Sequence, residues 1–537
     1  MNITPNTDLR ILHNVPLDNS YEHTLYFGEQ NNVQSTLNAQ AQYFMSKTKY
    51  NFTELTYNRV YDNVLRIERN TDDLYDCNYL MFRNTNFGNK WFYAFINKVT
   101  YINNACCEVE YELDVMQTWY TEYKVDESFV ERMHTRSDII GEHLVPETIV
   151  PTHYKTAFDD EFPKIDISGG AGNYHSRAIL LCSDNGNLDP TTFPFETISN
   201  VRGVPCQLKA VVVDMSTQPN EINRYIEELN NNGREQSIIG VYVIPPVIND
   251  ASTPYYYSDQ YQYDDLKTYQ GTFDGYVPRN NKMYTYPYNL LQVSNSFGQM
   301  KEYRFEGFPT QNSLPRCLFN IEAVAIPKPN MILKPTRYEG SNNHNDDILN
   351  IGEYPEGSYN GDSYQLWAHQ GMYQDIASIA SGGFHVLAGM ALDDYVGSMI
   401  GVASTFSAIT NALAHVTQAQ NTPDRHYGNA SASAAIYALE DGAGFAFHFK
   451  TRRPDYAQSK MIDDYFTKFG YAQNQLMSIS MHNRTRWTYV KTIGCTITGN
   501  VPADAESKIA SVYNSGITFW VNASEVGNYS LSNAPLE

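Results

Sequence analysis

The chain has 537 residues, 42% of them hydrophobic, and 60 Asp and Glu against 38 Lys and Arg give a formal net charge of -22 at pH 7. That length suits three or four domains with folded cores, while the acidic balance, with no basic run or tail, argues against tight nucleic-acid binding, whose affinity comes from Lys and Arg neutralising phosphates. Seven cysteines, at 77, 106, 107, 182, 206, 317 and 495, include no CxxC pair, and their odd number and scatter suit reduced thiols rather than a disulfide framework.

The opening MNITPNTDLR has neither the basic flank nor the apolar core of a secretory signal, so no secretory route is expected. Up to about residue 160, short apolar and aromatic runs alternate with Asn-rich turns, as in NYLMFRNTNFGNKWFYAFINKVTYINN. This pattern predicts β-strands joined by tight loops. The adjacent Cys106 and Cys107 fall on a strand and point to opposite faces, which favours packing over metal ligation. No metal or cofactor is assigned. In CCEVEYELDVMQTW, Glu108, Glu110, Glu112 and Asp114 recur at period two, interleaved with Val109, Tyr111, Leu113 and Val115. One face is therefore acidic and the other apolar. The acidic face is either an ordinary solvated surface or the wall of a lumen that repels DNA phosphates and lets a duplex slide.

Farther along, STQPNEINRYIEELNNNG predicts a helix with Thr217 as cap, Pro219 in the first turn, an Ile222, Ile226 and Leu229 stripe, and Gly233 beyond its end. Residues 253–288 are dense in tyrosine, whose apolar ring and polar tip serve β packing, subunit contact or stacking on envelope sugars.

Residues 376–416 form the one long apolar stretch, interrupted by Asp393 and Asp394 and broken at Gly382 and Gly383. Leu392, Tyr395, Met399, Val402, Phe406, Ile409, Leu413 and Val416 follow at spacings of three and four, a continuous helical stripe. Gly397, Gly401, Ala408 and Ala412 make a small-residue face on which another helix can pack closely in lipid. The apolar side chains favour insertion by on the order of 3 kcal/mol, eroded by Asn411, His415 and the hydroxyls, so the segment is marginal as a lone span. It suits a conditional one, shielded in an assembly until a membrane is near; the alternative is the buried core of a helical bundle. Asp393 and Asp394, two carboxylates among apolar neighbours, are expected to take up protons as pH falls, easing entry into lipid.

Near the C-terminus, DYAQSKMIDDYFTKFG predicts a helix closed by Gly470, and PADAESKIASVYNSG one that starts at Pro502 and stops before Gly516. The fold class is mainly β with added helices, α+β. No HExxH, P-loop, GxSxG or GxGxxG occurs, and no enzymatic activity is expected.

YLMFRNTNFGNKWFYAFINKVTYINN, EYELDVMQTW and SFVERMH, followed far downstream by KMYTYPYN, YFTKFGY, GITFW and GNYS, resemble in the same order the distal tail tube, or tail knob, proteins of phi29-like short-tailed bacteriophages. The resemblance spans most of the chain and is patchy between about 160 and 275. It implies a virion protein, a homo-hexamer forming a hollow tube, with an N-terminal tube domain at 1–160, a knob at 161–365, a membrane-active loop at 366–425 and a C-terminal tube domain at 426–537. The implied loops plug the lumen until infection, then leave to form a channel in the host cytoplasmic membrane for genome passage. Its lipid-contacting candidates are Phe384, Val386, Leu387, Met390, Met399, Ile400, Val402, Phe406 and Ile409, with helix packing at Gly397 and Gly401. Implied partners are the upper tail, collar and tip proteins, host membrane lipid, and phage DNA in transit. A receptor-binding or cell-wall-degrading tail tip is the alternative.

Overall fold

The computed structural model describes residues 6–357 and 446–536, apart from 56–62, 164–176, 202, 215–217, 219, 233, 235–236, 246, 249–255, 296–297, 327, 342–346, 353 and 355. It is β-rich with a few helices, as the alternating apolar pattern predicts. Two compact units emerge. One gathers Met1–Pro151, Tyr276–Met283 and Tyr456–Glu537, and the other Thr152–Gly275 and Tyr284–Asp455.

The first unit opens with β1 (Thr7–His13), β2 (His23–Leu25), helix α1 (Val33–Ser46), β3 (Thr48–Leu55), β4 (Val64–Ile67), β5 (Cys77–Asn84), β6 (Phe92–Asn103) and β7 (Cys106–Leu113). Six of these strands form an antiparallel sheet in the order β3-β1-β5-β6-β7-β4. All six contribute to one apolar cluster: Leu9 and Ile11, Leu80 and Phe82, Ala94, Val109 and Tyr111, Leu65 and Ile67, with Tyr50 and Phe52 packed against it. A flat sheet of six strands would hold its edges roughly 24 Å apart. Apart from Leu74, the members of this cluster all lie on the sheet's own strands and are nevertheless buried, so the sheet curls over its own side chains.

The other face of the same sheet carries Leu12, Tyr79, Met81, Tyr93 and Phe95, which pack into a second core with Trp487, Val490, Ile509, Tyr513, Ile517 and Trp520. Those C-terminal residues lie on a five-stranded sheet, in the order β2, Ile517–Trp520, Trp487–Ile493, β8 (Ser128–Met133), Tyr471–Met477, and on the helix Ala503–Ser515. The two ends of the chain are thus one folding unit: β2 pairs in parallel with Ile517–Trp520.

Glycine punctuation sets the C-terminal helices. The helix Tyr456–Phe469 stops at Gly470, whose φ is 65° and whose N–H donates to the Phe466 carbonyl at 2.8 Å. A Cβ there would sit 2.5 Å from the Met133 carbonyl carbon, so only glycine lets the chain pass so close to β8. The helix Ala503–Ser515 ends at Gly516, with φ of 95°.

The second unit holds the helix Glu221–Asn231, whose Ile222, Ile226 and Leu229 are buried as the stripe predicts. Its N-cap is Asn220 without a side-chain bond; Thr217, Pro219 and Gly233 lie outside the described residues. Arg177–Cys182 and Ile238–Ile244 are central in a five-stranded sheet, and among the described residues the unit also holds two four-stranded sheets and a two-stranded one, Thr310–Gln311 with Leu314–Pro315. Helix α1 is not anticipated by the sequence reading, which treats everything before residue 160 as strand and turn.

Candidate functional site

Strand β7 is the best-defined of the predicted features. It lies between β6 and β4, with Glu110 paired in register to Lys98 on one side and Val64 on the other, and Glu108 paired to Thr100 and Arg66. Cys107, Val109 and Tyr111 are buried in the core inside the curl, so the period-two rule puts Glu108, Glu110 and Glu112 on the opposite, solvent-facing side. The three carboxylates do not stand alone. Glu108 accepts from the Arg66 guanidinium at 2.5 Å, Lys98 faces Glu110 across the ladder, and Glu112 forms an ion pair with Lys508 while accepting from Asn19 and Asn97. Partial burial pushes the Glu112 carboxyl up, but Lys508, Asn19 and Asn97 outweigh it and hold it below the usual carboxylate range. Two of the three carboxylates are thus held by ion pairs, and the third has a lysine opposite it on the neighbouring strand.

Asp114 departs from the row. The strand ends at Leu113, and Asp114 is 1% exposed, capping the short helix α2 (Val115–Thr118) by accepting the N–H groups of Met116 and Gln117 at 3.0 and 3.1 Å. The Tyr79 hydroxyl donates to its other oxygen at 2.8 Å. Burial pushes its carboxyl up to about 6 against the pull of those three donors. A side chain so enclosed does not face a lumen, which corrects its place in the predicted acidic row. The signal was present in the sequence as an Asp directly before an apolar run, the mark of a helix start.

A second constellation was not foreseen at all. Between Gly275 and Tyr284 the chain enters the first unit for the segment Tyr276–Met283 and is bound there by buried charge. The carboxylate of Asp463, fully buried on the helix Tyr456–Phe469, accepts from the Tyr276 hydroxyl at 2.7 Å, the Arg279 backbone N–H at 2.9 Å, and the Asn280 backbone and side-chain N–H groups at 3.1 and 2.8 Å. Beside it, buried Glu147 forms ion pairs with Arg132 and Lys282 and accepts the Ala472 N–H at 2.9 Å. Lys282 also donates to the Val145 carbonyl at 2.8 Å, and burial, outweighing Glu147, pulls its ammonium below the usual range. These partners are up to hundreds of residues apart in sequence, and no spacing rule connects them.

The tyrosine-rich stretch goes largely to packing. Tyr263, Tyr269 and Tyr288 are buried, the Tyr261 hydroxyl donates to Asp160 at 2.9 Å with its ring against Phe162 and Phe449, and Tyr276 belongs to the Asp463 constellation. Tyr256 and Tyr286 remain partly exposed.

The predicted apolar loop, with Phe384, Val386, Leu387, Met390, Asp393, Asp394, Gly397, Met399, Ile400, Gly401, Val402, Phe406 and Ile409, lies outside the described residues. Among the described residues, no helix is long and apolar enough to cross a membrane.

The family model for the C-terminal domain of the Bacillus phage phi29 tail knob protein gp9 matches residues 250–534, and that for the caudoviral major tail protein N-terminus matches residues 5–124. Tail knob protein gp9 of Bacillus phage B103 is 24% identical and that of Bacillus phage phi29 23% identical, each aligned over 98% of this chain and 98% of its own length. The solved tail knob protein gp12 of bacteriophage C1 shares the fold, with a TM-score of 0.62 and 13% identity over 99% of this chain and 100% of that one.

Proposed function

Because the chain belongs to the family of the phi29 tail knob protein gp9 C-terminal domain, we propose that it is a structural protein of a bacteriophage virion, built into the tail as its distal tube and knob. The observation that carries this reading is the extent of the likeness: it runs over 98% of the chain and 98% of each of two tail knob proteins, rather than over one shared module.

The finer reading is a homo-hexameric hollow tube joined to upper tail and tip proteins, with the apolar residues 366–425 plugging the lumen before infection and lining a channel in the host membrane afterwards. Its support is the sequence itself, since this Gly/Ala/Ser-rich stretch is the apolar exception in a chain of charge -22 and is marginal as a single span, so association of several copies would be needed to hold it in lipid. Phage DNA would pass through the tube. The row's ion pairs, Glu108 with Arg66 and Glu112 with Lys508, with Lys98 opposite Glu110, favour a solvated outer face over a wall that repels phosphates. Electron microscopy of the purified chain tests the assembly: hollow sixfold rings with density inside the lumen are expected, and monomers or rings with an empty lumen at every concentration would overturn the plugged-tube reading.

A further inference from the structure

Helix α1 carries an apolar stripe that its own unit covers only in part. Val33, Leu37, Ala41 and Phe44 follow at spacings of four, four and three, one line along the helix. At its C-terminal end Phe44 is fully buried, stacked on Tyr79 and packed on Tyr93 and Phe27. At its N-terminal end the same line runs out into solvent, with Val33 44% and Leu37 38% exposed. The helix is nevertheless fixed in place. Buried Gln40 donates to the carbonyl and side chain of Gln117, both at 2.8 Å, and Thr36 donates to the Glu29 carbonyl at 3.0 Å. A rigid helix whose apolar line continues beyond its cover presents a preformed docking face.

Charge identifies the occupant. From Gln30 to Ser46 there is no charged residue, in a chain where Asp, Glu, Lys and Arg make up 18%. A basic partner would be met by acidic surface, which this chain has in excess. Two copies each carrying -22 repel one another everywhere except where the surface is uncharged or internally neutralised. An uncharged apolar face on so acidic a chain is therefore suited to a second copy of the same chain, and interface cores are depleted in charge for the same reason.

A fitting counterpart lies on a different element of the first unit. The end of the β6–β7 hairpin, from Val99 to Cys107, is also free of charge, with Tyr101 57% and Ile102 38% exposed. The turn is shaped by the Tyr101 hydroxyl donating to Asn104 Oδ1 at 2.8 Å and the Ala105 N–H donating to Asn103 Oδ1 at 2.9 Å. We propose that the exposed Val33 and Leu37 of one copy receive the Tyr101 and Ile102 hairpin tip of the next. Two different patches in contact make a head-to-tail interface, which closes into a ring when the rotation allows.

This inference rests on the assembly reading above and is separable from it by charge exchange in the full chain, read by mass photometry. Leu37→Lys alone and Ile102→Glu alone are each expected to lower the association constant by about a hundredfold, the loss of a central contact, with unchanged melting temperature because both side chains are exposed. Mixed in equal amounts the two variants should assemble like wild type, since each Lys meets a Glu and each remaining Leu meets an Ile. Val33→Lys and Tyr101→Glu repeat the design should either first variant fold poorly. Variants that assemble alone as wild type does, or a mixture that fails to recover, overturn this interface while leaving assembly intact; a wild-type chain that stays monomeric overturns both.

Discussion

Asn280 donates both its backbone N–H and its side-chain amide to the carboxylate of Asp463, at 3.1 and 2.8 Å, across 183 positions of sequence. With Tyr276 and Arg279 on the same carboxylate, the segment Tyr276–Met283 is bound to the first unit by an anion that water does not reach. Asp463→Asn replaces an acceptor with an N–H2 aimed at donors and leaves Arg279 without its buried counter-charge. A loss of about 2 to 4 kcal/mol in urea unfolding is expected, and a change below about 0.5 kcal/mol would show that the segment is held by something else.

Glu147 is shared by two buried cations. Glu147→Gln leaves Arg132 and Lys282 facing each other without an anion, and a cost of about 3 to 5 kcal/mol is expected. Adding Lys282→Met to that variant should recover part of the loss, because one of the stranded charges is gone. Independent, additive effects in the double-mutant cycle would contradict the coupling.

His134 is buried, and its imidazole is pulled down to about 3 by burial, with the charges of Arg484 and Arg132 adding to the effect. Its Nδ1 accepts the Tyr489 N–H at 2.9 Å, so Nε2 carries the proton and donates to the Thr467 carbonyl at 3.2 Å; the neutral ring satisfies both. Between pH 6.5 and about 3 the unfolded chain takes up a proton that the folded chain refuses, so stability falls as pH falls through that window. His134→Gln should flatten the slope of unfolding free energy against pH there. An unchanged slope would sink the assignment.

Asp114 works in the opposite sense. Its folded carboxyl, pushed up to about 6, binds a proton between roughly pH 4 and 6 that the unfolded chain has released, so its contribution favours the folded state at low pH and is lost as pH rises to 6. The penalty of Asp114→Asn is therefore expected to be smaller at pH 7 than at pH 4. Asp114→Ala, which also abandons the N–H groups of Met116 and Gln117, should cost about 1 to 2 kcal/mol at pH 7 and, like Asp114→Asn, more at pH 4. Equal Asn penalties at both pH values would argue against the buried carboxyl.

Where local chemistry decided the structure, the sequence was readable. Gly470 and Gly516 end their helices because only glycine relieves the positive φ there, and the inward Val109 and Tyr111 are separated from the outward Glu108, Glu110 and Glu112 by the strand period alone. Asp114 was misplaced because period two continues on paper past the point where β7 stops. Helix α1 was missed because its buried line includes Thr36 and Gln40, polar residues made acceptable inside by Glu29 and Gln117. The Asp463 and Glu147 constellations depend on pairings across the whole chain, which periodicity does not encode.

The proposed function assigns residues 366–425 to a tail component as its membrane-active element. Its most direct test is dye release from liposomes by the full chain and by the same chain lacking residues 366–425, at pH 5 and pH 7.5. The full chain is expected to release dye, more at pH 5 as Asp393 and Asp394 gain protons, while the shortened chain assembles normally and releases none. Equal release by both chains, or none by the full chain at either pH, would contradict it.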